Sequence, residues 1–439
     1  MNSRIQNLLG NFNALTYKYP IETQTQSFFN LNPEDLNNYF KYTYPVSSKK
    51  IISVIKHFLN FKQENGSNLE KELYYNYTES KFIHRLLKKK ILTYNPFSEE
   101  WLLKTQQRGT GSWETIGSNV EHQILKLSNN LSYQEIEINN LCGMSIYTPF
   151  INKGNPNNRS IDDNDHEKNG IVICITPPKF DRPTIFDWKY MVIDPMQNVK
   201  KNGYGPFNNS LEGRTLDIWA KFYGIDHFNL YEEVLTQDIS NSDYEFDPVR
   251  KQFVNYRFIK LPDYRDTYFD TMIYKQKITY LAEVFFNEAN YRAMGLKKKA
   301  YCYVFPIGKN TRILTPLQDK FILQSFISVL NTSTFNHISD VYFANFNTTN
   351  DNGQDDTLEE YTHKNSIQLH VGKKFPQERL NDPNKLLVRI SESTGNTLIG
   401  NEYFEYNLSN SDTSNTACSS YIAYIGNPDL NSFDTIKLF

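Results

Sequence analysis

From Asn32 to about Leu103 apolar residues recur three and four positions apart, in LNPEDLNNYFKYTYP, SSKKIISVIKHFLNFKQ and ESKFIHRLLKKKILTY. That period predicts an α-helical N-terminal region, with Ser47 and Ser48 placed to cap the helix that starts at KKIISVIKHFL. The Gly/Ser-rich stretch TQQRGTGSWETIGSN then reads as a connection and sets the predicted division, residues 1–120 and residues 121–439.

Beyond it the period changes. NGIVICITPP and WKYMVIDP are short apolar runs closed by proline, whereas SLEGRTLDIWAKFYG and YFDTMIYKQKITYLAEVFFNEANYRAMG carry helical spacing. KAYCYVFPIG, HISDVYFANF, NSIQLHVG and LLVRISE read as strands, and LQDKFILQSFISVLN as a helix between the first two. Apolar strands interleaved with helices predict an α/β domain whose sheet is covered on both faces. Ligands on such sheets sit beyond the carboxyl ends of the strands. The polar stretches from Asn155 to Asn169 and from Asn347 to Glu360 read as surface loops, the first containing His166 in IDDNDHEKNG as part of a solvated acidic segment.

Composition narrows the function. The 439 residues fit two or three domains, and 30 Tyr with 30 Phe supply an aromatic core. A formal charge of −2 carries no polyelectrolyte signature and argues against nucleic acid as a partner. Lys88-Lys89-Lys90 and Lys297-Lys298-Lys299 read as solvated helix faces or ends. Cys142, Cys174, Cys302 and Cys418 lie far apart, which indicates reduced thiols rather than a disulfide framework or a zinc site, with Cys174 and Cys302 as core residues. The histidines show no paired ligand spacing, and neither a P-loop nor a dinucleotide fingerprint occurs, so no metal and no cofactor is expected. No apolar run is long enough for a bilayer and no signal peptide is evident, which predicts a soluble, cytosolic protein without a membrane partner.

Candidate chemistry gathers after LLVRISE, where two Gly-Asn pairs, Gly395-Asn396 and Gly400-Asn401, precede Glu402. Glycine turns let free N–H groups approach an anion, although joining two strands is the plainer use of such turns. Ser411, Asp412 and Thr413 would cap a helix over TSNTACSSYIAYI, and its N-terminus suits a diphosphate.

The segment TGNTLIGNEYF, the NSD beyond it and the closing ACSSYIAYIGNPDLN resemble the C-terminal signature of the macrodomain-like ADP-ribosylhydrolases that include the bacterial effector MavL. GIVICITPPKFDRPTIFDWKYMVIDPMQNVKKNGYGP, TLDIWAKFYG, KKAYCYVFPIG and HISDVYFANF match in the same order, so the resemblance runs from about Leu141 to Asn431 and leaves the helical N-terminus outside. It implies a macrodomain-like mixed sheet, ADP-ribose as ligand, and an ADP-ribosylated protein such as ubiquitin as substrate. It also implies secretion of an effector into a host cytoplasm. Glu402 and Asp412 match acids around the distal ribose, Gly395, Asn396, Gly400 and Asn401 match ligand-binding loops, and Phe180 matches an aromatic that stacks on adenine. Thr394 stands where the family carries a third acid. Threonine can hydrogen-bond a ribose hydroxyl but cannot act as a base at neutral pH, unless a neighbour such as Glu392 compensates.

Hydrolysis of an ADP-ribosyl-arginine bond develops positive charge at the ribose carbon while water attacks, and a nearby carboxylate stabilises that charge and orients the water. Two other readings stand beside it. A non-catalytic ADP-ribose reader would need the loops and the aromatic clamp but not the acids. An arginine ADP-ribosyltransferase would use Arg108, Ser112 and the pair Glu135/Glu137 in QEIEI, whose alternation also fits a half-buried strand.

Overall fold

The computed structural model describes residues 33–95, 98–105, 107–154, 164–178, 187–237, 239–240, 244–247, 252–307, 314–346, 366–393, 397–399, 422–423 and 436–439. Its frame is an eight-stranded sheet built from β1 (Tyr44–Ser47), β2 (Gly143–Pro149), β3 (Asn169–Cys174), β4 (Lys299–Val304), β5 (Ile338–Ala344), β6 (Gln368–Gly372), β7 (Lys385–Ser391) and β8 (Lys437–Leu438). Their order across the sheet is β6-β5-β4-β7-β3-β2-β1-β8. The five strands from β6 to β3 run parallel, β2 is antiparallel to both its neighbours, and β8 is parallel to β1.

The central strands bury both faces, which is why they read as unbroken apolar runs. Ile171, Ile173, Ala300, Cys302, Val304, Leu386, Val388 and Ile390 join one core cluster. The alternate residues Val172, Cys174, Tyr301, Tyr303 and Leu387 join another on the opposite face. The helices among the described residues, α1 to α9, are Pro33–Lys41, Lys50–Asn65, Asn68–Tyr74, Glu79–Lys88, Tyr133–Asn139, Leu211–Tyr223, Tyr231–Leu235, Thr271–Gly295 and Gln318–Thr332, and most of them cover the first face. The long helix α8 lies against β1, β3, β4, β5 and β7, with α9 and α6 packed on it and α2 on α6. Asp270 caps α8 by accepting from the Ile273 N–H at 3.1 Å. The second face is covered by Tyr39 and Phe40 of α1 and by Ile422 and Ala423.

The N-terminal region does more than form helices. Its residues 44–47 make β1, and Ser47 turns its hydroxyl to the Leu141 carbonyl at 2.7 Å instead of capping α2. Ser48 takes that role in part, accepting from the Lys50 N–H at 3.3 Å. The stretch read as a connection also carries structure: Arg108–Thr110 is a strand of a small antiparallel sheet with Glu100–Leu102 and Thr93–Tyr94. Trp113 follows it, fully buried, with its indole N–H on the Leu131 carbonyl at 3.1 Å. WKYMVIDP is a 3-10 turn, Asp187–Tyr190, followed by only two strand residues, Val192–Ile193. His166 is buried, its Nε2 3.0 Å from the Phe150 carbonyl, so that part of the acidic segment is folded inward rather than solvated. Residues 155–163 and 347–360 lie outside the described residues.

Candidate active site

Four parallel strands, β5, β4, β7 and β3, end together at Ala344, Val304, Ser391 and Cys174. β7 and β3 are neighbours near the middle of the sheet, and their pairing continues past the strand ends, where the Ile175 N–H donates to the Ser391 carbonyl at 3.0 Å. The loop toward Phe180 and the loop toward the first Gly-Asn pair therefore leave the same edge one strand apart, about 5 Å. Gly143 lets β2 close on this edge, since a Cβ there would lie 2.8 Å from the Cys174 carbonyl oxygen.

Between the two Gly-Asn pairs the chain is anchored. Thr397 bridges to Ile91, and the Leu398 N–H donates to the Ile91 carbonyl at 2.8 Å. Thr397 and Leu398 are buried, and Ile399 packs against the second-face core. The tripeptide 397–399, which lies between the two Gly-Asn pairs in the sequence, is thus pinned by the end of the N-terminal helical segment. Ile422 and Ala423 are helical, and they share a core cluster with Val172, Cys174 and Leu387 of β3 and β7; the rest of the helix expected from Asp412 lies outside the described residues. The predicted site residues themselves, Phe180, Thr394, Gly395, Asn396, Gly400, Asn401, Glu402 and Asp412, lie outside the described residues. Glu392, the acid weighed as a substitute at Thr394, stands just past the end of β7.

Next to Ile91, on the strut that holds Leu398, lies a buried cation. Of Lys88-Lys89-Lys90, Lys88 is exposed but Lys90 is buried, 5% exposed. Burial lowers its pKa, the charge on Lys104 adds to the lowering, and the thiols of Cys142 and Cys174 oppose it. Cys142 in turn is pushed up to about 11 by burial. The triple-lysine run gave no sign of this, because the third lysine falls after the last helical residue and turns inward. Lys297-Lys298-Lys299, by contrast, do follow a helix end at the surface.

The transferase constellation does not assemble. QEIEI is helix α5, not a strand, opened by a capping box in which Ser132 and Glu135 satisfy each other's N–H groups. Glu135 is fully buried and held by Arg85, with Nε–Oε1 at 2.6 Å and Nη2–Oε2 at 2.9 Å. Glu137 is engaged by the Tyr190 hydroxyl and by Lys189 at 3.0 Å. Arg108 is exposed on its short strand, and neither glutamate is available to a substrate.

What the described edge offers is a shelf of closely spaced strand ends and one pinned tripeptide, the place where ligands sit on sheets of this kind. Comparison with known proteins gives that frame a family. The model of the MavL-like ADP-ribosylhydrolases matches residues 6–435. The match takes in the helical N-terminus, which the resemblance drawn from Leu141 to Asn431 had left out; the physical reason is that this segment supplies β1 and pins Thr397. The ADP-ribosylarginine hydrolase CG2909 of Drosophila melanogaster is 27% identical over 444 residues, covering 97% of this chain and 84% of that protein. The ADP-ribosylarginine hydrolase CG3568 of the same fly is 26% identical over 443 residues, covering 96% and 83%. The chain belongs to the MavL-like ADP-ribosylhydrolase family.

Proposed function

We propose that this protein hydrolyses the N-glycosidic bond between ADP-ribose and an arginine side chain of a modified protein. The observation that carries the reading is similarity over nearly the whole chain to two fly proteins named for that reaction. In this reading the ligand lies in a macrodomain-like cleft across the carboxyl ends of β3 and β7. Gly395, Asn396, Gly400 and Asn401 present main-chain N–H groups to the diphosphate, and Phe180 stacks on adenine. Glu402 and Asp412 face the distal ribose, where they stabilise the developing positive charge and orient the attacking water. The arginine leaving group is already cationic, which reduces its need for a strong acid. Thr394 holds a ribose hydroxyl, and Glu392 is the nearby acid that supports the pair. The segment before residue 120 recruits the modified protein.

Thr394 favours one second reading, a binding module that has lost turnover. The two separate when the protein is incubated with arginine-ADP-ribosylated ubiquitin and free ADP-ribose is measured, with calorimetry against ADP-ribose alongside. Release supports the hydrolase, and binding without release supports the reader. Neither binding nor release on ubiquitin or on a second arginine-modified protein would remove both.

A further inference from the structure

A pocket of about 350 Å³ opens between the end of α4 and the small antiparallel sheet. That volume lies at the small end of ligand pockets, which run from roughly 300 to 1,000 Å³. Lys88, Lys89, Lys90 and Lys104 line it, with Thr105 and Asn129 among the uncharged groups, and among the described residues no carboxylate is part of the lining. Four lysines in one lining favour an anion over a cation as occupant, and the Lys104 charge acts on Lys90 directly.

Two of the lysines explain their own positions. Lys88 is exposed, and Lys104 donates to the Lys88 carbonyl at 2.8 Å. Lys90 is different: it is buried, it lines the pocket, and it makes no hydrogen bond or ion pair among the described residues. A buried charge without a partner is costly, and proteins keep one where a ligand supplies the counter-charge. The wall behind the pocket is fixed, because the Asn130 carbonyl accepts from the Arg85 guanidinium at 2.8 Å and Glu135 neutralises that charge.

We propose that this pocket is a second anion site, distinct from the ADP-ribose cleft, that takes a phosphate-bearing small molecule with Lys90 as its central contact. A phosphate offers several acceptor oxygens to the converging ammonium groups, which a single carboxylate does not. The pocket has room for a sugar or base beside the phosphate. Because Ile91 follows Lys90 and holds Leu398 through its carbonyl, occupancy would also stiffen the strut that holds Leu398.

The test uses the full chain and pyridoxal 5′-phosphate, a phosphate-bearing aldehyde. The neutral lysine amine adds to its aldehyde carbon and water is lost, giving an imine that borohydride reduces by hydride transfer to a stable secondary amine. Peptide mapping then locates the label. Lys90 is expected to label ahead of exposed lysines, with pyridoxal lacking the phosphate labelling it far less, and with inorganic pyrophosphate protecting it. Lys104→Met should weaken that protection by roughly 10-fold or more, the loss expected for one charge-assisted contact. Lys90→Met should lose the label while melting no lower than the wild type. Label spread over surface lysines, equal labelling by pyridoxal, or protection by ADP-ribose but not by pyrophosphate would overturn the proposal, the last by assigning these lysines to the main cleft.

Discussion

Two buried cations stand five residues apart on the same segment, and they are held in opposite ways. Arg85 makes a two-pronged pair with Glu135 and further bonds to the Leu127 and Asn130 carbonyls at 2.7 and 2.8 Å. Lys90 makes none among the described residues and faces a pocket. The first arrangement satisfies its guanidinium and locks α4 onto α5, so its purpose is complete within the fold. The second leaves, among the described residues, a lysine without a counter-charge, on which the proposed anion site rests. Pairing, more than burial, separates a structural charge from one kept for a ligand.

That contrast can be broken at Arg85 first. Arg85→Met leaves Glu135 buried without a counter-ion and should cost about 3–5 kcal/mol in chemical denaturation. Arg85→Met with Glu135→Met should recover much of that loss; if the double variant is as unstable as the single one, the pair contributes through packing rather than charge. A smaller effect of opposite sign is expected at Lys90. Its folded pKa is lowered, so the unfolded chain holds the proton more tightly, and wild-type stability should rise as pH climbs toward the ordinary lysine value of 10.5. Lys90→Met should therefore melt slightly higher than wild type near pH 7, with the gap closing as the medium becomes alkaline. A lower melting temperature at every pH would make Lys90 structural and erase the contrast.

The smallest effect sharpens the comparison with a carboxylate on the far side of the sheet. Asp340 is buried on β5, with the Nε2 of His370 at 2.9 Å, the Nζ of Lys385 at 2.8 Å and the Ser339 hydroxyl at 2.6 Å. Burial alone would raise its pKa, but these partners outweigh it and leave the group below the ordinary carboxylate value of 3.8. A depressed carboxylate stabilises the fold above its unfolded pKa and loses that contribution as pH falls through the window below 3.8. Asp340→Asn should flatten that acid limb in melting curves, and an unchanged limb would assign it to other acids.

The central fold was legible because its strands are buried on both faces and each helix carries a full period. NGIVICITPP, KAYCYVFPIG, HISDVYFANF, NSIQLHVG and LLVRISE all became sheet strands, and the α/β class followed from their alternation with helices. Short elements were not legible. EIEI alternates as a strand does, but the Ser132–Glu135 capping box and the pull of Arg85 make it a helix. YPVS is too brief to stand out inside a helical region, and its strand pairing depends on β2 almost a hundred residues on. The acids and glycines proposed for the site, from Gly395 to Asp412, rest on their turn and capping chemistry and on likeness to a family pattern, and lie outside the described residues. Lys90 was not, because inward burial of one lysine in a run of three is decided by the surrounding fold.

The most direct test of the central claim is single-turnover release of ADP-ribose from an arginine-ADP-ribosylated protein, comparing wild type with Glu402→Gln. The account predicts measurable release by the wild type and a fall of roughly 10²- to 10⁴-fold in the variant, the range for a positioned acid–base group, with the melting temperature unchanged. Equal rates in the two proteins would contradict it.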